Sequence, residues 1–110
     1  MTSDRWRLLF WAALAFAFVM AVMPHPPRLP GAPNDKVQHI IAFTTLAMLG
    51  RMAFPKAVDW RLLAGLSLYG ALIELVQLIP ALNRDGDVID WIADTAAVAV
   101  VLALFRLARR

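Results

Sequence analysis

The sequence contains no cysteine, and only 17% of its 110 residues are charged. The absence of cysteine excludes disulfides, iron–sulfur clusters, thiolate zinc sites and cysteine nucleophiles. Hydrolase motifs such as His-Glu-x-x-His and Gly-x-Ser-x-Gly are missing as well. Soluble domains have about 25% charged residues, and disordered chains are poor in apolar residues. The composition therefore argues against both an ordinary soluble domain and a disordered chain.

Apolar residues make up 61% of the chain, and they are concentrated in long runs. We identify four runs, closed by proline or charged stretches, over residues 8–23, 40–54, 62–79 and 88–107. A helix needs roughly 20 residues to cross about 30 Å of hydrocarbon. The second helix is therefore too short unless it starts near Lys36, and the fourth must include Asp90 and Asp94.

These lengths predict an all-α, polytopic membrane protein that folds as a bundle of four transmembrane helices. We place the helices at about residues 6–23, 36–54, 61–79 and 88–107, within a single domain over residues 1–110. The first run leads straight into Pro24 without a small-x-small cleavage pattern. We therefore expect it to be a retained helix and not a cleaved signal peptide.

Basic residues indicate the orientation of the predicted bundle. Four crossings put both termini on one side of the membrane, together with the loop between the second and third helices. That side carries eight of the eleven basic residues: Arg5, Arg7, Arg51, Lys56, Arg61, Arg106, Arg109 and Arg110. The positive-inside rule then places both termini in the cytoplasm. The formal charge of +3 follows from this topology, so we expect the lipid bilayer and not nucleic acid as the partner.

Polar residues that are unusual in a membrane helix gather at the opposite, outer end of the predicted bundle. They are Asp35, Lys36 and His39 in the second helix, Glu74 and Gln77 in the third, Arg84 in the following loop, and Asp90 and Asp94 in the fourth. Spacings of three and four residues place the members of each helix on one face. An acid at mid-membrane costs about 2.5 to 3.5 kcal/mol, so we predict that these side chains turn inward into a polar pocket.

Structural roles remain open for several of these residues. Asp35 could cap the second helix, Lys36 could extend to the headgroups, and His39 could be a packing residue. Asp90 and Asp94 lie too deep in the fourth helix for capping to explain both.

The small residues of the third helix are predicted to form a close-packing face that includes Gly65, Ser67, Gly70 and Ala71.

Three separated motifs resemble the VanZ-like family of small bacterial membrane proteins. They are Asp35-Lys36-x-x-His39-x-x-x-Phe43, Glu74-x-x-Gln77, and Arg84 followed by Asp90-x-x-x-Asp94-Thr95. The resemblance covers residues 8–107 and departs from the family at Ala97, where glycine is expected. It implies a polytopic helical protein of the bacterial cytoplasmic membrane. The founding member of the family is linked to low-level resistance to the glycopeptide teicoplanin.

The leading functional hypothesis is an envelope protein, non-catalytic or without an assigned reaction, whose outer pocket binds an amphiphile, either a lipid-linked cell-envelope precursor or a glycopeptide. Arg84, Lys36 and His39 would engage phosphate or carboxylate groups of this ligand. Glu74, Gln77, Asp90 and Asp94 would fix that geometry or contact amides and sugars, and Asp35 belongs to the same polar cluster. We predict no metal and no other cofactor, and a homo-oligomer is compatible with the sequence.

Two alternatives belong to other functional classes. Because His39, Glu74, Asp90 and Asp94 are ligand types for a divalent metal, a metal-assisted hydrolase or transferase in the membrane is one alternative. A small ion or proton conduit is the other, since membrane acids with a histidine can form a relay. The predicted inner half of the bundle offers few polar residues to complete such a path.

Overall fold

The computed structural model describes residues 3–22, 35–79 and 88–109, and all regular structure within them is helical. The described helices are α1 (Ser3–Val22), α2 (Asp35–Ala53), α3 (Asp59–Gln77) and α4 (Val88–Ala108). This confirms the all-α class. The observed helix ends lie within three residues of the predicted ones.

Two of the described helices, α1 over Asp4–Val22 and α4 over Val88–Ala108, are long and apolar enough to cross a membrane. The other two are 19 residues long each but contain more polar and charged residues. Length and composition thus support membrane insertion of α1 and α4. A bundle of four spans remains a prediction.

Neighbouring helices run in opposite directions along the bundle, as contacts at its two ends show. At one end, Arg7 near the start of α1 donates from Nε to the carbonyl of Ala53 at the end of α2, over 3.1 Å. At the other end, Gln77 of α3 donates from Nε2 to the carbonyl of Ala21 in α1, over 2.8 Å. The helix α2 packs most extensively against α4 and α1. It therefore forms the centre of the described bundle.

Apolar side chains are present both inside and outside the bundle. The buried core includes Phe10, Phe43, Leu46, Ala47, Leu66, Ile73, Val98, Val101 and Leu102. Large apolar side chains on each of the four helices also face outward, and Leu8 and Leu68 are each 71% exposed. Water-soluble proteins rarely expose extended apolar surface of this kind. A lipid environment accounts for it, because lipid does not penalise outward-facing leucine.

The end of the bundle where α2 leads into α3 is held together by Arg51, which is only 4% exposed. Its guanidinium donates from Nη1 to the carboxylate of Asp59. It also donates from Nη2 to the carbonyls of Phe54 and Ala57, over 2.7 and 2.5 Å. Arg109, just after α4, lies 3.7 Å from the second oxygen of Asp59. Arg51, Asp59 and Arg109 form what we call the Arg51 end, which links α2, α3 and the C-terminal end of α4.

The two glycines of α3 lie in different surroundings. A Cβ atom on Gly70 would lie 3.3 Å from Cζ of Phe43 and 3.5 Å from Cδ1 of Trp91. Around Gly65, the described residues place no atom within 4 Å of the corresponding position. The predicted close-packing face is therefore correct at Gly70 and wrong at Gly65, because α3 turns Gly65 away from its neighbours.

We expect Gly70→Leu to destabilise the bundle by about 1 to 3 kcal/mol, because the added side chain must displace Phe43 or Trp91. Gly65→Leu is the matched control, since both changes give the same gain in helix propensity. Unfolding in detergent micelles, followed by circular dichroism, compares the two variants. Equal stability of the two would contradict the observed rotation of α3.

Candidate functional site

A cluster of three polar side chains lies between α2, α3 and α4, at the end of the bundle opposite Arg51. Nδ1 of His39 is 3.1 Å from Oδ2 of Asp94 and 3.8 Å from Oε1 of Glu74. The Asp94 side chain is 2% exposed, and those of His39 and Glu74 are nearly as buried. One ligand-type atom from each residue lies within 4.8 Å of the other two. We call these three residues the His39 cluster.

The cluster forms because polar residues continue the inward-facing apolar stripes of three helices. Two of its members belong to stripes of buried residues on α3 and α4: Leu66, Gly70, Ile73, Glu74 and Gln77, and Asp90, Asp94, Val98, Val101 and Leu102. On α2, His39 lies one turn before the buried Phe43. Helical spacing of three and four residues therefore carries the core pattern into the cluster.

Asp90 and Gln77 extend the polar region on either side of the cluster. Asp90 is buried and lies one turn before Asp94 on α4. Gln77 is 2% exposed and follows Glu74 on the same face of α3. Its amide nitrogen donates to the carbonyl of Ala21, so Gln77 connects the region to α1 as well.

Oδ1 of Asp94 and Oε1 of Gln77 are buried in this region, and neither accepts a hydrogen bond from a residue that the structure describes. Buried acceptors are usually satisfied, because an unsatisfied one loses its interaction with water. Each of these oxygens therefore retains the capacity to accept a hydrogen bond or to bind a cation.

The structure describes the side chains of only some of the predicted site residues. The structure brings His39, Glu74 and Asp94 together and buries Gln77 and Asp90 on the same helix faces. Asp35 and Lys36 begin α2, but their side chains lie outside the described part of the structure, and Arg84 lies outside the described residues altogether. The proposed cationic half of the pocket remains a prediction.

Sequence reasoning missed the polar contacts that support the cluster from the adjacent turns. The hydroxyls of Ser67 and Thr95 are 3.0 Å apart, which joins α3 to α4. Trp91 donates from its indole nitrogen to the carbonyl of Ser67 over 3.0 Å, and Tyr69 donates from its hydroxyl to the carbonyl of Leu14 over 2.5 Å. The signal available was that tryptophan and tyrosine, when buried, usually find a polar partner.

A family model described as VanZ/LLP1 matches residues 2–109. The chain belongs to the VanZ/LLP1 family. The match confirms the resemblance drawn from the three motifs, and no curated protein and no solved structure matches the chain. Together with the two apolar helices, VanZ/LLP1 membership supports a membrane protein.

The arrangement in this VanZ/LLP1 protein suits two kinds of chemistry. If His39 carries a proton on Nδ1, that nitrogen donates to Asp94, and the contact fixes the orientation of the imidazole ring. If Nδ1 is unprotonated, its lone pair and the facing carboxylate oxygens are ligands for a cation. The three side chains therefore have the donor types and the mutual distances for sharing a proton or for coordinating a cation.

We expect the contact between His39 and Asp94 to stabilise the bundle directly. In a double-mutant cycle, His39→Ala and Asp94→Ala should show a coupling of about 1 to 3 kcal/mol, because each change removes the other residue's partner. The measurement is the free energy of unfolding in detergent micelles. His39→Ala combined with Arg61→Ala, at the far end of the bundle, should be additive. A coupling near zero between His39 and Asp94 would show that the contact contributes nothing to stability.

Proposed function

We propose that this VanZ/LLP1 protein crosses the bacterial cytoplasmic membrane four times and binds the anionic headgroup of a lipid-linked cell-envelope precursor. The binding site is the outer end of the bundle, around the His39 cluster. The observation that carries the proposal is the burial of His39, Glu74 and Asp94 together inside helices whose outer surface is apolar. Ionisable residues within membrane segments are costly, and they commonly mark ligand or ion sites.

The packing of α2 supports four crossings. Because α2 contacts both α1 and α4 extensively, the insertion of those two apolar helices would carry α2 into the membrane as well. The longest dimension of the described bundle is 45 Å, enough for a hydrocarbon layer of about 30 Å. The His39 cluster would then lie towards the outer membrane surface, and the Arg51 end would lie towards the cytoplasmic surface.

Topology reporters test the four crossings. A green fluorescent protein fused after Arg110 should fluoresce, and alkaline phosphatase fused there should be inactive, because the positive-inside rule holds the C-terminus in the cytoplasm. Phosphatase fused within residues 80–87 should be active. An active C-terminal phosphatase fusion would place the C-terminus outside the cytoplasm. That result would contradict both the four crossings and the proposed outer pocket.

Cations close to the cluster in sequence supply the chemistry for an anionic headgroup. Lys36 precedes His39 by three residues, and Arg84 precedes α4 by four. Lys36 lies in the first turn of α2, and Arg84 belongs to residues 80–87, which lead into α4. An arginine binds phosphate through two parallel hydrogen bonds, and carboxylates can orient it or accept hydrogen bonds from sugar hydroxyls and amides.

An ion conduit receives less support from the described packing. Between the His39 cluster and the Arg51 end, the bundle interior is filled by closely packed apolar side chains, among them Leu46, Ile73 and Val98, each at most 2% exposed. A proton or ion would need polar groups or water through this layer. The polar residues are thus better placed to bind a ligand at one end than to form a path.

Binding of undecaprenyl pyrophosphate tests the ligand class, with undecaprenol as the phosphate-free control. In lipid nanodiscs, Arg84→Ala should weaken pyrophosphate binding by about tenfold or more, because a charge-assisted hydrogen bond is lost. Arg61→Ala, an arginine at the other end of the bundle, should leave it unchanged. Microscale thermophoresis measures both affinities.

Equal binding of the alcohol and the pyrophosphate, or an unchanged affinity in Arg84→Ala, would contradict the proposal. Teicoplanin serves as a second probe in the same measurement. Binding of teicoplanin without binding of the pyrophosphate would instead identify a glycopeptide site and exclude the lipid-linked precursor.

A further inference from the structure

We propose that the His39 cluster holds a divalent metal ion, coordinated by Nδ1 of His39, Oε1 of Glu74 and Oδ2 of Asp94. The inference deepens the proposed function, on which it rests for the role of the ion: the metal would bind the phosphate of the headgroup. Binding of the metal itself depends only on the three side chains. From the sequence, His39, Glu74 and Asp94 were candidate metal ligands only for the alternative of a metal-assisted enzyme. The structure adds that their ligand atoms come together, although the three residues belong to three different helices.

The spacing of the ligand atoms carries the inference. Two ligands of a tetrahedral zinc ion, each about 2.1 Å from the metal, lie about 3.4 Å apart. The distances from Nδ1 of His39 to the oxygens of Asp94 and Glu74 are 3.1 and 3.8 Å, on either side of that value. All three atoms lie within 4.8 Å of one another, so side-chain shifts of about 1 Å would bring them to the separations of zinc ligands.

The chemistry of the donors selects the kind of metal. One imidazole and two carboxylates, without a thiolate, favour Zn²⁺ or Mn²⁺ over a soft ion such as Cu(I). The two carboxylates neutralise the charge of a divalent ion, which matters in a buried site. Three protein ligands leave at least one coordination position open, as in zinc sites that bind water or substrate. A phosphate oxygen would fit that position.

The buried side-chain oxygens of Asp94 and Gln77 provide an independent observation. Oδ1 of Asp94 accepts no hydrogen bond from the described residues, although its carboxylate faces His39 through Oδ2. It is thus available as a second ligand atom. The side-chain oxygen of Gln77 is likewise buried without a described donor, one turn beyond Glu74. It is suited to accept a hydrogen bond from a water bound to the metal, an outer-shell contact of the kind that orients metal ligands.

Direct metal binding tests the inference. The purified protein in detergent is stripped with a chelator and dialysed against Zn²⁺ or Mn²⁺, and the bound ion is counted by mass spectrometry. We expect one ion per chain. His39→Ala, Glu74→Gln and Asp94→Asn should each weaken binding by about tenfold or more, because each removes a ligand. His25→Ala, and Asp4→Asn at an exposed carboxylate at the start of α1, remove the same residue types elsewhere in the sequence and should leave binding unchanged.

Two further measurements keep the test decisive if a substituted protein folds poorly. Zn²⁺ should raise the unfolding temperature of the unaltered protein, because an ion that binds the folded state stabilises it. X-ray absorption of the zinc-loaded protein should show a first shell of nitrogen and oxygen with an imidazole contribution. Less than one tenth of an ion per chain, or equal binding by the cluster variants and the controls, would overturn the inference.

The experiments can contradict the metal inference and the proposed function independently of each other. If the pyrophosphate binds equally with and without chelator, and no ion is counted, the metal inference is wrong while lipid binding stands. If one ion binds at the cluster but the pyrophosphate does not bind, the metal site stands and the proposed function is wrong.

Discussion

The buried contact between His39 and Asp94 is the constraint on which the rest of the structure depends. Asp94 is almost fully buried in a bundle that exposes large apolar side chains on every described helix. An isolated carboxylate in such surroundings would be strongly disfavoured. The partner on α2 therefore fixes how α2 lies against α4, the most extensive helix contact in the described structure. Glu74 extends the same requirement to α3, so that three helices must meet at one place.

A second polar group at the opposite end of the bundle restrains the register of the helices. Arg51 is held by Asp59 and by two carbonyls of the connection between α2 and α3. Apolar packing alone is tolerant of sliding, because one leucine contact resembles another. Arg51 is buried at one end of the bundle, and the His39 cluster is buried at the other. If one helix slid along its neighbour, charged groups at both ends would lose their partners. The apolar layer between them is thereby held in one arrangement.

Helix positions could be predicted from the sequence because they follow from local rules. Proline stops and the membrane length requirement located the four helices, and spacing alone placed Glu74 with Gln77 and Asp90 with Asp94 on shared faces. Contacts that depend on irregular backbone or on helix rotation could not be derived this way. Arg51 bonds to carbonyls of a non-helical connection, and the rotation of α3, set by its neighbours, distinguishes Gly70 from Gly65. The distance between His39 and Asp94 likewise needs a three-dimensional arrangement.

The cost of the cluster argues that it does more than hold helices together. Replacing a buried ion pair by well-packed apolar residues is often neutral or stabilising, and this bundle has apolar side chains throughout its interior. A leucine at Asp94 with an apolar partner at His39 would continue the stripes that lead to Val98 and Phe43. A sequence that needed only a stable bundle has no use for a carboxylate at that depth. The cluster lies near the start of α2, the end of α3 and the start of α4. In the proposed function, these buried groups at one end of the bundle would recognise a charged ligand in addition to joining the helices.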